Sequence, residues 1–251
     1  MTPLEFYSPA QATADRYGQF ENSIKLYYMK KIIIIVFSII AIRTYGQIQT
    51  VGFQFGLNLS NITAREHFED TKYRKAISTG IKYEFLFSNK FSLGLDVLYS
   101  QQGFNEDISY TIADEFGEII TVKPDEKTKY KYDYLLVPLK VGYSFGNTLK
   151  ISPKFGLCPA ILLDAKMILP AVNENGIKID EQTFEHKNVN KFDVSGQLEI
   201  EVKYPINKME LFTSALYRQS LTKFSNDNYF KESKMMHLGF SFSIGLTYRI
   251  N

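Results

Sequence analysis

Large apolar residues alternate with small or polar residues along the C-terminal end of the chain. The large residues of this segment are Leu238, Phe240, Phe242, Ile244, Leu246, Tyr248 and Ile250. Glycine, serine, threonine and arginine fill the positions between them, and residues 51–60 repeat the same arrangement. An alternation with a period of two predicts a β-strand with one apolar and one polar face.

Six further segments between these two show the same alternation, so the sequence predicts eight strands. They cover residues 77–87, 91–101, 133–145, 149–163, 192–204 and 210–218. Short turn-forming links at 88–90, 146–148 and 205–208 alternate with long polar segments at 61–76, 103–132, 164–191 and 219–234. Short turns on one side and long loops on the other are typical of outer-membrane barrels. The pattern therefore predicts an all-β fold, an eight-stranded antiparallel up-and-down transmembrane β-barrel. An even strand number would place both termini on the same, periplasmic side.

The glycines indicate which face of this barrel is inside. A soluble barrel of the lipocalin type also has alternating strands, but its apolar face points inward. The interior of an eight-stranded barrel is the crowded side. The glycines that share the polar face here are Gly52, Gly56, Gly80, Gly94, Gly142, Gly156, Gly239 and Gly245. The polar face is therefore predicted to line a plugged lumen, filled by charges of both signs. The predicted lumen charges are Lys82, Glu84, Asp96, Lys140, Lys154, Asp193, Glu199, Glu201, Lys203, Glu210, Arg218 and Arg249.

An export signal is predicted within the first 46 residues. Met29-Lys30-Lys31 precedes an apolar run, residues 32–42, that is too short to span a bilayer as a helix. A basic start, a short apolar core and small residues before the cleavage point are typical of a signal peptide. We expect cleavage between Gly46 and Gln47. The expected divisions are 1–28, an extension upstream of the true translation start, 29–46, the signal peptide, and 47–251, the barrel. The alternative is that the apolar run is a buried core segment of a soluble protein.

Composition narrows the possible partners and cofactors. The net charge is +2, from 29 basic and 27 acidic side chains, which argues against a nucleic-acid partner. Cys158 is the single cysteine, so no internal disulfide forms and we expect a structural thiol there. The histidines at 67, 186 and 237 lack ligand spacing. We predict no metal and no cofactor, and outer-membrane lipid as the surrounding partner.

Several segments resemble the PorT-like outer-membrane β-barrel family. The similar segments are Gly52–Asn61, Lys90–Leu93, Leu98–Gly103, Tyr134–Lys140, Leu216–Thr222 and Gly245–Arg249. The resemblance covers nearly all of the predicted mature chain. It implies an outer-membrane location and no cofactor. The namesake of the family is associated with a protein-secretion system, and the motifs themselves are structural.

Three functional hypotheses remain open from the sequence. The first is a non-enzymatic barrel with a structural, docking or secretion-associated role, with a protein partner bound by the long loops. The second is a barrel enzyme acting on lipid or peptide at the external rim. Its candidates are His237 with Asp227 and Ser233, and His67 with nearby acids, although solvated loops are the simpler interpretation. The third is a soluble periplasmic barrel that binds an apolar ligand.

Overall fold

The computed structural model describes residues 48–63, 71–87, 90–113, 119–174, 177–187, 189–225 and 235–250. Residues 47–251 form one compact unit. The predicted upstream extension, the signal segment and the cleavage site at Gly46 and Gln47 lie outside the described residues. No helix in the described ranges is long and apolar enough to cross a membrane.

The described residues form strands throughout the barrel unit. In chain order these are β1 (Ile48–Thr63), β2 (Thr71–Leu86), β3 (Phe91–Glu106), β4 (Tyr110–Ala113), β5 (Ile119–Val122), β6 (Thr128–Leu136), β7 (Leu139–Tyr143), β8 (Lys150–Leu169), β9 (Val172–Glu174), β10 (Ile177–Ile179), β11 (Gln182–Glu185), β12 (Phe192–Ile206), β13 (Met209–Ser220) and β14 (Met236–Arg249). Every pairing between them is antiparallel. The alternation in the sequence thus becomes extended chain, as expected for residues rich in Phe, Tyr, Ile and Val.

Eight strand positions close into a ring, and the predicted barrel is confirmed. The order around it is β1, β2, β3, then β6 continued by β7, then β8, β12, β13 and β14, which pairs with β1. The fourth position is divided because Pro138 lacks a backbone N–H. The Val137 amide still donates to the Pro159 carbonyl (2.9 Å), and the Pro138 carbonyl accepts from the backbone amide of Asp96 (3.1 Å). The sheet therefore stays closed across the division.

The first and last strands form the closing seam. Their register runs without a shift from Thr50 opposite Arg249 to Thr63 opposite Met236. The Ile250 amide also donates to the Gln49 carbonyl at 2.8 Å. Both ends of the described chain therefore lie at the same end of the barrel. We call this the turn end, because the short links between strands also lie there, and the opposite one the loop end.

Burial follows the predicted inside and outside faces. Phe53, Leu157 and Phe242 are 57%, 54% and 56% exposed, whereas Lys82 and Asp96 are 0% and 1% exposed. A soluble barrel would show the reverse, so the lipocalin-type alternative is wrong. We call the exposed large apolar side chains of the strands, such as Phe53, Leu157 and Phe242, the apolar belt. This belt is the surface that a bilayer would cover.

The strands are longer than predicted at the loop end, and the long polar loops are correspondingly shorter. Within the predicted loop 61–76, β1 continues to Thr63 and β2 begins at Thr71; β13 likewise enters the loop 219–234 as far as Ser220. The loop 103–132 contains the ends of β3 and β6 and the hairpin β4–β5. The loop 164–191 contains the end of β8, the hairpin β9–β10, and β11, which pairs with β8. We call residues 71–76, 101–106, 128–133, 164–169 and 182–185 the wall.

Two short links have backbones that explain their sequences. The turn predicted at 205–208 is reduced to Asn207 and Lys208, because β12 extends to Ile206. Asn207 has a φ of 57°, a left-handed conformation that asparagine tolerates better than most residues. Gly146, after β7, has a φ of 87°, and a Cβ there would overlap the Leu149 carbonyl oxygen. Glycine is therefore required at that turn.

Candidate functional site

The lumen near the turn end is filled by buried charges that bond across the barrel. We call this group the charged core; it consists of Lys82, Glu84, Asp96, Lys140, Lys154, Glu199, Glu201, Lys203 and Glu210. The Lys140 Nζ lies 2.6 Å from Asp96 Oδ2 and 2.9 Å from Glu199 Oε2. These contacts join β7 to its neighbour β3 and, past β8, to β12.

A second lysine in the charged core makes the same kind of bridge. The Lys154 Nζ lies 2.8 Å from Glu84 Oε1 and 2.7 Å from Glu201 Oε1. Lys82 also pairs with Glu201, and Lys203 pairs with Glu84. Because ions in a low-dielectric interior are costly unless each is paired and hydrogen-bonded, this alternation of signs is what allows them to be buried. The network connects strands on opposite sides of the barrel and fills the interior between them.

The twelve predicted lumen charges are placed as follows. Eleven are buried, and the Arg249 side chain is 31% exposed at the turn end, where it pairs with Glu210 at 3.2 Å. Asp193 lies nearer the loop end and accepts hydrogen bonds from Ser220 (2.6 Å) and Thr222 rather than from a cation. Arg218 reaches only the Gln197 side-chain oxygen, at 3.5 Å. Asp193 and Arg218 therefore stand outside the charged core.

A group of aromatic side chains fills the lumen at the loop end. We call it the aromatic cap; it consists of Phe104, Tyr130, Tyr132, Tyr134, His186, Phe224 and His237. Phe104 stacks on Tyr130 with ring centroids 4.3 Å apart, and Phe224 stacks on His237 at 4.2 Å. Such contacts contribute about 0.5–1.5 kcal/mol each beyond the area they bury.

Hydrogen bonds hold both histidines within the aromatic cap. The Tyr132 hydroxyl and His186 Nδ1 are 3.0 Å apart, and the Tyr134 hydroxyl and His237 Nε2 are 3.2 Å apart. Burial lowers the pKa of His186, so its imidazole is held neutral. A small cavity next to His237 is lined in part by Asn58, Gln102 and Arg218.

The aromatic cap was not predicted from the sequence. The sequence pattern places Tyr130 and Tyr132 in the loop 103–132 and predicts that the strand begins at Asp133. The structure begins β6 at Thr128, with the tyrosines facing inward and the charged residues between them facing outward. The alternation was present, but its polarity is the inverse of the pattern used to find the membrane strands.

The candidate catalytic groups are not assembled into an active site within the described residues. His237 is 3% exposed and bonded to Tyr134, so it does not open onto the rim. His67, Asp227 and Ser233 lie outside the described residues. Cys158 is a free, fully buried thiol that packs against the cap. In the described ranges, no group of three or more His, Cys, Asp or Glu side chains could hold a metal ion.

The closed antiparallel ring, its exposed apolar belt and its buried charges define an outer-membrane β-barrel. A family model described as "Outer membrane protein beta-barrel domain" matches residues 47–226. The chain belongs to this family, and its location is the outer membrane.

Solved structures of outer-membrane proteins are similar to this chain at low identity. Neisserial surface protein A is 12% identical, with a TM-score of 0.42, over 80% of this chain and 96% of that one. OprG from Pseudomonas aeruginosa is 8% identical, with a TM-score of 0.44, over 82% and 96%. The outer membrane protease OmpT from Escherichia coli is 10% identical, with a TM-score of 0.37, over 81% and 96%. A search of curated proteins found no match.

Proposed function

We propose that this protein is a non-enzymatic, non-conducting outer-membrane barrel that holds the wall at the cell surface as a docking platform. The observation that carries the proposal is the double closure of the lumen. The charged core fills the turn-end half with ion pairs, and the aromatic cap fills the loop-end half with packed rings. A solute channel needs a continuous hydrated path, and both halves are instead occupied by buried side chains.

The burial of His237 favours this proposal over a rim enzyme. A general acid or base must reach its substrate within hydrogen-bonding distance. His237 instead stacks on Phe224 and bonds to Tyr134. The proposed role is therefore mechanical, since loops and edges on a rigid scaffold are where binding usually occurs.

The proposed orientation places the turn end in the periplasm and the wall outside the cell. The signal peptide 29–46, cleaved between Gly46 and Gln47, would deliver the barrel to that side of the inner membrane, with translation starting at Met29. The PorT-like resemblance supports a secretion-associated partner for the wall. N-terminal sequencing of the mature protein should give Gln47, and protease treatment of whole cells should cut within the wall and its links.

Conductance in planar bilayers tests the closed lumen directly. The wild-type protein should show no current steps, and the same should hold for Tyr132→Ala, because the charged core still seals the turn-end half. Removing both seals, with Tyr132→Ala combined with Lys140→Ala and Lys154→Ala, should open measurable current in molecules that circular dichroism shows to be folded. Steady wild-type conductance would refute the proposal.

A further inference from the structure

The outward face of the wall, together with the adjoining residues 107, 126 and 127, carries six lysines and five carboxylates. We call the basic group the lysine face; it consists of Lys72, Lys75, Lys127, Lys129, Lys131 and Lys166. Its carboxylates are Asp107, Glu126, Asp133, Asp164 and Glu185, and Glu185 lies opposite Lys166. Strand alternation turns Lys129, Lys131 and Asp133 outward, because their neighbours along β6 face the aromatic cap, and Lys166 shares that face as the cross-strand partner of Lys131.

The lysine face contains like charges placed directly opposite each other. Lys131 on β6 is the cross-strand partner of Lys166 on β8. On the same face, contact with the Lys72 ammonium lowers the pKa of Lys127. Like charges in opposed positions destabilise a sheet. Lys166 is balanced within the chain by Asp164 and by Glu185 opposite it, so Lys131 is the member of the pair that an external anion would neutralise.

The carboxylates of the lysine face are already engaged, whereas half of its lysines are not. Lys72 pairs with Asp107, Lys129 with Glu126, and Lys166 with Asp164. Glu185 pairs with Lys187 at 3.3 Å. Asp133 accepts from the Tyr99 hydroxyl at 2.7 Å. Among the described residues, no carboxylate lies within 4.0 Å of Lys75, Lys127 or Lys131. Their charges are therefore available to an external anion.

The height of the lysine face indicates the kind of anion. Lys131 is only four residues from Leu135 of the apolar belt, and the row of Lys72, Asn105 and Lys129 lies higher. From Tyr99 to Asn105 the strand rises about 15 Å along the membrane normal, at roughly 3.3 Å per residue and a tilt of about 40°. A phospholipid with a single phosphate would reach only the lowest row. A headgroup of phosphorylated sugars would present phosphates at several heights.

We propose that the lysine face binds the phosphate groups of a phosphorylated glycolipid in the leaflet around the loop end. The acyl chains would lie against the apolar belt of β3, β6 and β8, and the headgroup phosphates would lie among Lys75, Lys131, Lys166 and Lys127. Basic clusters next to a membrane-spanning segment are attracted to anionic lipid headgroups. This proposal goes beyond the docking role, because the ligand is a lipid of the surrounding membrane and not a protein partner of the wall.

The test compares two triple variants in phosphatidylcholine nanodiscs that contain diphosphorylated lipid A, with bound lipid counted by native mass spectrometry. One variant is Lys75→Gln, Lys127→Gln and Lys131→Gln, which leaves no carboxylate without its partner. The matched control is Lys90→Gln, Lys191→Gln and Lys208→Gln, which removes the same charge elsewhere. We expect the first variant to retain lipid A at least about fivefold more weakly, the control to resemble wild type, and dephosphorylated lipid A to be retained poorly by all three.

Three outcomes would overturn the proposal. One is equal retention of lipid A by the two triple variants. Another is equal retention of the dephosphorylated lipid by the wild-type protein, because the phosphates would then contribute nothing. The last is displacement of lipid A by soluble tripolyphosphate at matched phosphate concentration, which would make the lysine face a site for a soluble polyanion.

Discussion

The two ends of one barrel position, β7 and β6, reverse their inside and outside chemistry. In the membrane half, Leu139 and Val141 face outward and Lys140 faces into the charged core. In the wall, Lys129 and Lys131 face outward and Tyr130 and Tyr132 face into the aromatic cap. The backbone alternation is the same in both halves. What differs is the solvent outside the barrel: hydrocarbon at the turn-end half and water at the loop end.

This reversal teaches that the outer solvent, and not the barrel, selects the polarity of a strand. Against lipid, an outward charge is costly, so charges are turned inward and must be paired. Against water, outward charges are solvated, and the interior can be packed with rings as in a soluble protein. The molecule is therefore a membrane barrel at one end and has the layering of a soluble barrel at the other.

Breaking the charged core should have the largest effect. Lys140→Met leaves Asp96 and Glu199 buried without their shared cation, and we expect a loss of about 3–5 kcal/mol in the free energy of unfolding. Urea titration in lipid vesicles measures it. Lys129→Met, whose partner Glu126 is exposed on the wall, should change stability by less than about 1 kcal/mol. Equal losses would mean that the two halves do not differ as described.

Placing a charge on the outer surface should have the next largest effect, and its cost in the free energy of unfolding should differ between the membrane half and the wall. Leu157→Arg lies in the apolar belt and should cost about 2–4 kcal/mol in vesicles. Ile168→Arg lies on the same strand within the wall and should change the free energy of unfolding by less than about 0.5 kcal/mol. The same titration reports both, and a costly Ile168→Arg would place the wall inside the bilayer.

Removing one hydroxyl from the aromatic cap should have a smaller effect. Tyr132→Phe keeps the ring packing but removes the hydrogen bond to His186 Nδ1. We expect a loss of about 1 kcal/mol, the usual net contribution of such a bond. Hydrogen exchange at the β6 amides should increase near Tyr132, while amides of β7 should be unchanged. Faster exchange throughout the barrel would show that the cap and the charged core unfold together.

Acidification should loosen the aromatic cap with the smallest effect. The folded pKa of His186 lies below 6.5, so the unfolded chain binds a proton more readily. The stability from the neutral imidazole is present above pH 6.5 and is lost as the pH falls through the folded pKa. Hydrogen exchange at Tyr130 and Tyr132 between pH 7 and pH 5 should show this loss, and His186→Gln should reduce it. Stronger protection of these amides at pH 5 than at pH 7 would contradict the expected loss of stability on acidification.

The membrane half could be predicted from the sequence because a bilayer imposes one rule on every strand. Phe53, Leu157 and Phe242 face outward for the same reason, and glycine and charge fill what remains. The lumen positions of Lys140 and Glu199 follow from that parity alone. Their specific partners do not, because opposite strands meet across the lumen through side-chain lengths and barrel stagger.

The wall and the aromatic cap could not be predicted by the same rule. Tyr130 and Tyr132 alternate with lysines, a pattern that reads as polar loop when charged residues are assumed to face inward. His186 and Phe224 come from links that have no alternation. Only the closure of the barrel brings them beside β6, so the signal for the cap is distributed over distant parts of the chain.

The closing seam between β1 and β14 has a consequence for the timing of assembly. The first strand, β1, pairs with β2 and with β14, and β14 is the last strand to be synthesised, about 190 residues after β1. Until that strand has been synthesised, the edge of β1 has no partner, and the apolar belt stays uncovered until the barrel reaches a bilayer. We therefore expect the chain to stay unfolded and protected from aggregation until its final segment is available to close the ring.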